Sequence, residues 1–254
     1  MKHLFFSAAL LIGLVNVSGQ VYAQDSLQVD FQVDIVNKHI WRGQDYGNFS
    51  IQPQAEARWK GIYIKAAAST GLEENDYERL DISLGYQAPF GINIGVGSLY
   101  RTGFDRQKRY FYFDEKDTGH RFEGNLGYQC KWFGIQAYTI FGGNDFKFDG
   151  SRAWSTYIEL SAPFRLASCD WMARVGISPM ESSGYLTDIS DDYLFYNTMN
   201  DYLYGDGFCC TTASLRATKS FKVGKFKIPV FVELNGNPYT QRMYGIAGVS
   251  LRPF

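Results

Sequence analysis

The sequence predicts an all-β protein, a closed up-and-down antiparallel transmembrane β-barrel of about 12 strands. Three observations predict it. Apolar and polar residues alternate with a period of two, short and long connections alternate between the runs, and aromatic residues gather at the run ends. A period of two places successive side chains on opposite faces of a strand.

The amino terminus reads differently from the rest. Lys2 and His3 precede an apolar run from Leu4 to Val15, and Val21-Tyr22-Ala23 follows as a small-residue cleavage site. This is the three-part pattern of a cleavable export signal over 1–23, which leaves 24–254 as a single barrel domain. The run is too short for a helix that crosses a bilayer, which needs ~20 apolar residues.

The alternating runs follow in order. Leu27, Val29, Phe31, Val33 and Ile35 interleave with Gln28, Asp30, Gln32 and Asp34. Ile51 to Trp59 sets its odd positions against Gln52, Gln54, Glu56 and Arg58. Leu80, Ile82, Leu84, Tyr86 and Ala88 oppose Arg79, Asp81, Ser83 and Gln87, while Phe122, Leu126 and Tyr128 oppose Arg121, Glu123 and Asn125. Trp154, Ile158 and Leu160 face away from Tyr157 and Glu159, and Trp171, Ala173, Val175 and Ile177 from Arg174. Weaker alternation marks strands near 62–70, 92–101, 135–142, 207–220, 225–235 and 242–252. The apolar face of the clear runs carries no charge.

The connections have a rhythm of their own. Tight turns are expected at Lys60-Gly61, Pro89 to Gly91, Trp132 to Gly134, Pro163 to Ser168 and Lys222 to Lys225. Longer polar connections lie near 42–50, 71–78, 102–119, 143–152, 179–206 and 236–241. Strict alternation of short and long is the pattern of periplasmic turns and extracellular loops. Trp59, Phe90, Trp132, Phe133 and Phe164 stand beside the short turns; Trp41, Tyr100, Phe141 and Trp154 stand beside the long loops. Rings at both ends suit the two headgroup levels of a membrane.

Within hydrocarbon every backbone polar group must be paired, so strands can cross only as a closed cylinder. The uncharged face then meets outer-membrane lipid and the charged face lines the interior. Glu56, Arg58, Lys65, Arg79, Asp81, Arg101, Arg121, Glu123, Tyr138, Tyr157, Glu159 and Arg174 are the expected pore-lining residues. Alternation alone also suits a soluble sandwich with the faces reversed. The export signal, the turn rhythm and the aromatic ends favour the barrel, and with it the bacterial outer membrane.

Composition narrows the functions. Lys and Arg number 25 against 26 Asp and Glu, with no basic block, so nucleic acid is not an expected partner. Cys130, Cys169, Cys209 and Cys210 match no zinc spacing, and no cofactor or metal is expected. Asp188, Asp191, Asp192 and Asp201 lie among tyrosines in the 179–206 loop but lack the glycine and terminal Glu of a calcium loop.

The segment His39-Ile40-Trp41-Arg42-Gly43-Gln44-Asp45 resembles the end of the first strand in TorF-type porins and their relatives among Bacteroidetes outer-membrane proteins. Ser50-Ile51-Gln52-Pro53, the Lys60-Gly61 turn, Gly224-Lys225-Phe226 and Leu234 to Pro238 are similar as well. The resemblance implies a passive channel. A terminal aromatic, here Phe254, implies recognition of the last strand by the barrel-assembly machinery, although Pro253 breaks the alternation of Ala247, Val249 and Leu251.

The expectation is a porin-like channel for passive diffusion of small hydrophilic solutes through a narrow charged lumen. Two alternatives stand beside it. One is a barrel lipase or lipid A deacylase, for which His39 and His120 are the bases available after signal removal; phase reads His39 as a girdle residue and turns His120 toward lipid. The other is a barrel plugged by its own ion pairs, with a structural or surface-recognition role. In either case no catalytic residue can be singled out.

Overall fold

A computed structural model describes residues 26–72, 78–102, 109–188, 198–224 and 226–252. The stretch 1–23, expected to be an export signal, and Phe254 lie outside these, as do Asp191, Asp192 and Tyr193. The described residues form strands and no helix. In chain order the strands begin with β1 (Gln28–Val36), β2 (Ile40–Trp41), β3 (Gln44–Asp45), β4 (Ser50–Trp59), β5 (Ile62–Gly71) and β6 (Glu78–Gln87). There follow β7 (Ile92–Thr102), β8 (His120–Gln129), β9 (Gly134–Gly143), β10 (Thr156–Leu166) and β11 (Cys169–Ser178). Last come β12 (Gly184–Asp188), β13 (Thr198–Tyr202), β14 (Cys209–Val223), β15 (Phe226–Asn237) and β16 (Arg242–Leu251).

Twelve of these strands close a barrel in the order β1-β16-β15-β14-β11-β10-β9-β8-β7-β6-β5-β4, each antiparallel to its neighbours. Closure comes from β1, which pairs with β4 on one side and with β16 on the other, Val33 opposite Leu251 and Val36 opposite Gly248. No barrel strand is left with an open edge, so every ladder has a partner. The other four strands form two hairpins inside long connections, β2–β3 and β12–β13. Neither hairpin announces itself by alternation, because each strand is too short.

The faces fall as the charge pattern requires. Ile64, Leu84, Ile94, Val96, Leu126, Leu160, Val175, Val232 and Leu234 are all exposed on the outer wall. Asp34, Arg101, Glu123, Glu233 and Asn235 are buried inside. Trp59, Phe90, Trp132, Phe133 and Phe164 project outward beside the short turns, as do Phe141 and Trp154 at the other end.

Turn chemistry fixes the hairpins. Lys60 (φ 48°) and Gly61 (φ 86°) both take positive φ, as a two-residue type I′ turn requires. The β10–β11 turn differs from expectation. It was expected to span Pro163 to Ser168, but β10 continues through Leu166 and only Ala167 and Ser168 turn. Pro163 pairs with Met172 beyond the point where β9 stops pairing at Ser161, so its missing N–H breaks no bond on that side. Ala167 (φ 51°) and Ser168 (φ 60°) hold the left-handed conformation without glycine or asparagine. Such residues cost roughly 1–2 kcal/mol each. Ser168→Gly is therefore expected to stabilise the barrel by ~1 kcal/mol. A urea midpoint that stays level or falls would contradict this.

Candidate lumen site

The lumen is shaped by a piece of chain that alternation cannot place. Between β1 and β4 the chain turns inward and forms the β2–β3 hairpin, with Ile40 opposite Asp45 and Trp41 opposite Gln44. Its two central residues, Arg42 (φ 50°) and Gly43 (φ 78°), again satisfy a type I′ turn. Gly43 is required twice over. Beyond its positive φ, a Cβ at this position would lie 1.7 Å from the Thr211 carbonyl oxygen on β14. The Gly43 carbonyl also accepts a hydrogen bond from the buried Asn237 amide on β15, at 3.0 Å.

From this seat Arg42 reaches across the barrel to Glu123 on β8. Its two Nη atoms donate to the two carboxylate oxygens at 2.6 and 2.9 Å, and Nη1 also donates to the Tyr204 hydroxyl at 2.6 Å. The guanidinium carbon lies 4.2 Å from the Trp41 ring centre, 4.1 Å from Tyr138 and 5.1 Å from Tyr157. A planar cation with a bidentate carboxylate and aromatic faces is a strongly specified arrangement. Only 9% of the Arg42 side chain and 7% of that of Glu123 reach solvent. Burial works against the Arg42 charge, but Glu123 and Tyr204 more than offset it and hold its pKa above the usual arginine value.

Around Arg42 the lumen is packed solid on one side. Tyr157, Ile140, Leu203 and Tyr204 form a buried cluster, with Trp41 and Tyr138 against it. Ile40 packs against a second cluster of Val36, Phe231 and Ile246. Leu203 and Tyr204 belong to the 179–206 connection, so part of that loop folds into the lumen.

On the other side a cavity of about 350 Å³ remains. Of the residues expected to line a pore, Glu56, Arg58, Lys65, Arg79, Asp81, Glu123 and Tyr138 border it. Trp41 and Arg42 border it too, with Tyr63, Gln87, Asn93, Asn125 and Gln136. The remaining expected residues lie elsewhere. Arg101 binds Asp81 and lies 4.9 Å from the Trp41 ring centre. Arg121 donates to the Asn144 carbonyl at 2.8 Å near the long-loop end. Tyr157 is sealed in the aromatic cluster, and Glu159 stands 3.7 Å from Arg174, which in turn faces Glu233 at 3.9 Å.

Three expectations about single residues are corrected. Trp41 is not a girdle residue, since it lies inside the lumen beneath Arg42. His39 is not one either: it is buried, with Nδ1 3.1 Å from Ser69 Oγ and Nε2 3.4 Å from Arg79 Nη1. His120 keeps its outward phase but does not meet lipid. The 109–119 connection folds back over the wall and encloses its ring between Tyr100, Tyr110 and Phe113. Periodicity assigns the face of a strand residue; it is blind to a loop that returns into the barrel or over its wall.

The two histidines share a further trait. Each has a serine hydroxyl at Nδ1, but Nε2 of His39 meets a guanidinium and Nε2 of His120 meets the Tyr110 carbonyl at 2.6 Å. A Ser–His–carboxylate relay needs an acid there. Burial first, and then Arg79 and Arg101, lower the His39 pKa from 6.5 to about 3. His39 is thus neutral in the fold, whereas it protonates near 6.5 when unfolded. Its contribution to stability is complete above pH 6.5 and declines as pH falls toward 3, because the unfolded chain then binds the extra proton. The melting temperature of the wild type minus that of His39→Gln is expected to shrink between pH 7 and 4.5. A difference independent of pH would refute this.

All four cysteines are free, and Cys209 is buried. The side chains of the 188–197 acidic stretch lie outside the described residues.

Fold and site together define the class: a twelve-stranded antiparallel barrel with an apolar outer wall and a charged lumen stoppered by its own first connection. No protein-family model matches the chain, and no curated protein resembles it in sequence. Among solved structures, a Salmonella typhi OmpF complex with daunomycin is similar over 92% of this chain and 100% of that one, at 9% identity and a TM-score of 0.37.

Proposed function

We propose that this protein is an outer-membrane, porin-like channel for small hydrophilic solutes, narrowed by the β2–β3 hairpin. The observation that carries the reading is the charged cavity of about 350 Å³ ending against Trp41 and Arg42. A wall whose exposed face is mostly apolar, with Lys219 and Glu78 near the strand ends, suits lipid, and a polar interior suits water and solute. A row of inward charges sets which solutes pass. Kinship with the TorF-type porins belongs to the same reading, as does delivery of the last strand to the barrel-assembly machinery.

A second reading has one specific observation in its favour. The Arg42–Glu123 pair and the aromatic cluster fill the remainder of the lumen. A barrel stoppered in this way serves as a rigid surface scaffold if the stopper never moves. Conductance across a planar bilayer separates the two. Small, infrequent openings in the wild type and larger steps in Arg42→Ala support the channel. Silence from both proteins supports the scaffold.

A further inference from the structure

Among the charges bordering the cavity, Lys65 stands apart. Arg42 closes on Glu123, Arg79 Nε lies 2.8 Å from Asp81, and Arg58 lies 2.6 Å from Glu56. Lys65 is directly opposite Glu56 in the β4–β5 register, yet that carboxylate is turned to Arg58. Lys65 has no ion pair and no hydrogen bond among the described residues. An ammonium facing a confined polar space, with Glu56 held by Arg58 through Oε1 and Asp81 held by Arg79 and Arg101, attracts an anion. The same cavity is bordered by neutral groups suited to hydroxyls: the Asn93 carboxamide, and that of Gln136, which donates to Asn125 at 3.2 Å. Ligand pockets start at roughly 300 Å³, so this space suits a molecule of about six carbons.

We propose that the cavity is a binding site for small hydroxylated carboxylates. The carboxylate meets Lys65, and the hydroxyls meet Asn93 and Gln136. The inference deepens the channel reading by naming the solute class, but binding does not require that the stopper opens.

Isothermal titration of the full-length barrel in detergent at low salt tests it, with sodium gluconate as the probe and glucose as its neutral counterpart. Saturable binding of gluconate and none of glucose is expected. Lys65→Gln should weaken gluconate binding by roughly tenfold or more, as loss of a charge-assisted hydrogen bond implies. Lys65→Arg should retain it, which also shows that the position tolerates substitution in a folded barrel. No binding by the wild type, or equal binding by Lys65→Gln, overturns the site. Inorganic phosphate displacing gluconate at equal concentration overturns the carboxylate assignment. A barrel that binds gluconate yet never conducts ends the channel reading and leaves the site standing; one that conducts without binding does the reverse.

Discussion

Arg42→Ala is expected to raise single-channel conductance and to destabilise the barrel at the same time. The guanidinium satisfies both oxygens of Glu123 and lies against the rings of Trp41, Tyr138 and Tyr157. Removing it leaves Glu123 buried without its partner, for which breaking a buried pair costs about 3–5 kcal/mol. It also removes the side chain that spans the lumen from the hairpin to β8. Glu123 can relieve its own cost by taking up water, and the water-filled gap is the conducting path. Urea unfolding and planar-bilayer recording check the two effects separately. If stability falls while conductance is unchanged, the hairpin is held by Gly43 and Trp41 instead, and Arg42 is a brace only.

Val232→Arg is expected to cost about 2–4 kcal/mol in a bilayer, the penalty for a cation at the hydrocarbon midplane. Val232 lies midway along β15, exposed on the outer wall, between Ala217 of β14 and Ala247 of β16. It touches no charge that could compensate. On a water-facing surface the same change would fall within ~0.5 kcal/mol. Reversible folding into lipid vesicles, compared with the wild type, measures the difference. A change of a few tenths would mean that this face meets water, and the outer-membrane assignment would fall with it.

The barrel wall was largely legible in the sequence because a strand has only two faces. Wherever Glu56 and Arg58 alternate with Ala55 and Ala57, one rule assigns them all, and the charged side is the one enclosed. The short-turn aromatics could be read for the same reason. The lumen was legible only in part. Glu56, Lys65 and Asp81 border the cavity as strand residues pointing inward, whereas Glu159 and Arg174 point inward to a side that is filled. Which half is filled depends on Trp41, Arg42 and Tyr204, all carried by connections. One local signal did exist. An Arg-Gly pair between the apolar Ile40-Trp41 and the polar Gln44-Asp45 is compatible with hairpin chemistry, and it lies inside the motif that carries the resemblance. His120 was misplaced because its cover, Tyr110 and Phe113, lies in a loop whose return over the wall leaves no periodic trace.

The seat of the stopper has a consequence for how the molecule is put together. Arg42 and Gly43 stand near the start of the chain, whereas Glu123, Tyr204, Thr211 and Asn237 arrive 81 to 194 residues later. A nascent or half-inserted cylinder therefore has nowhere to lodge its own cork. Its seat is whole only once strands from both ends of the chain have met.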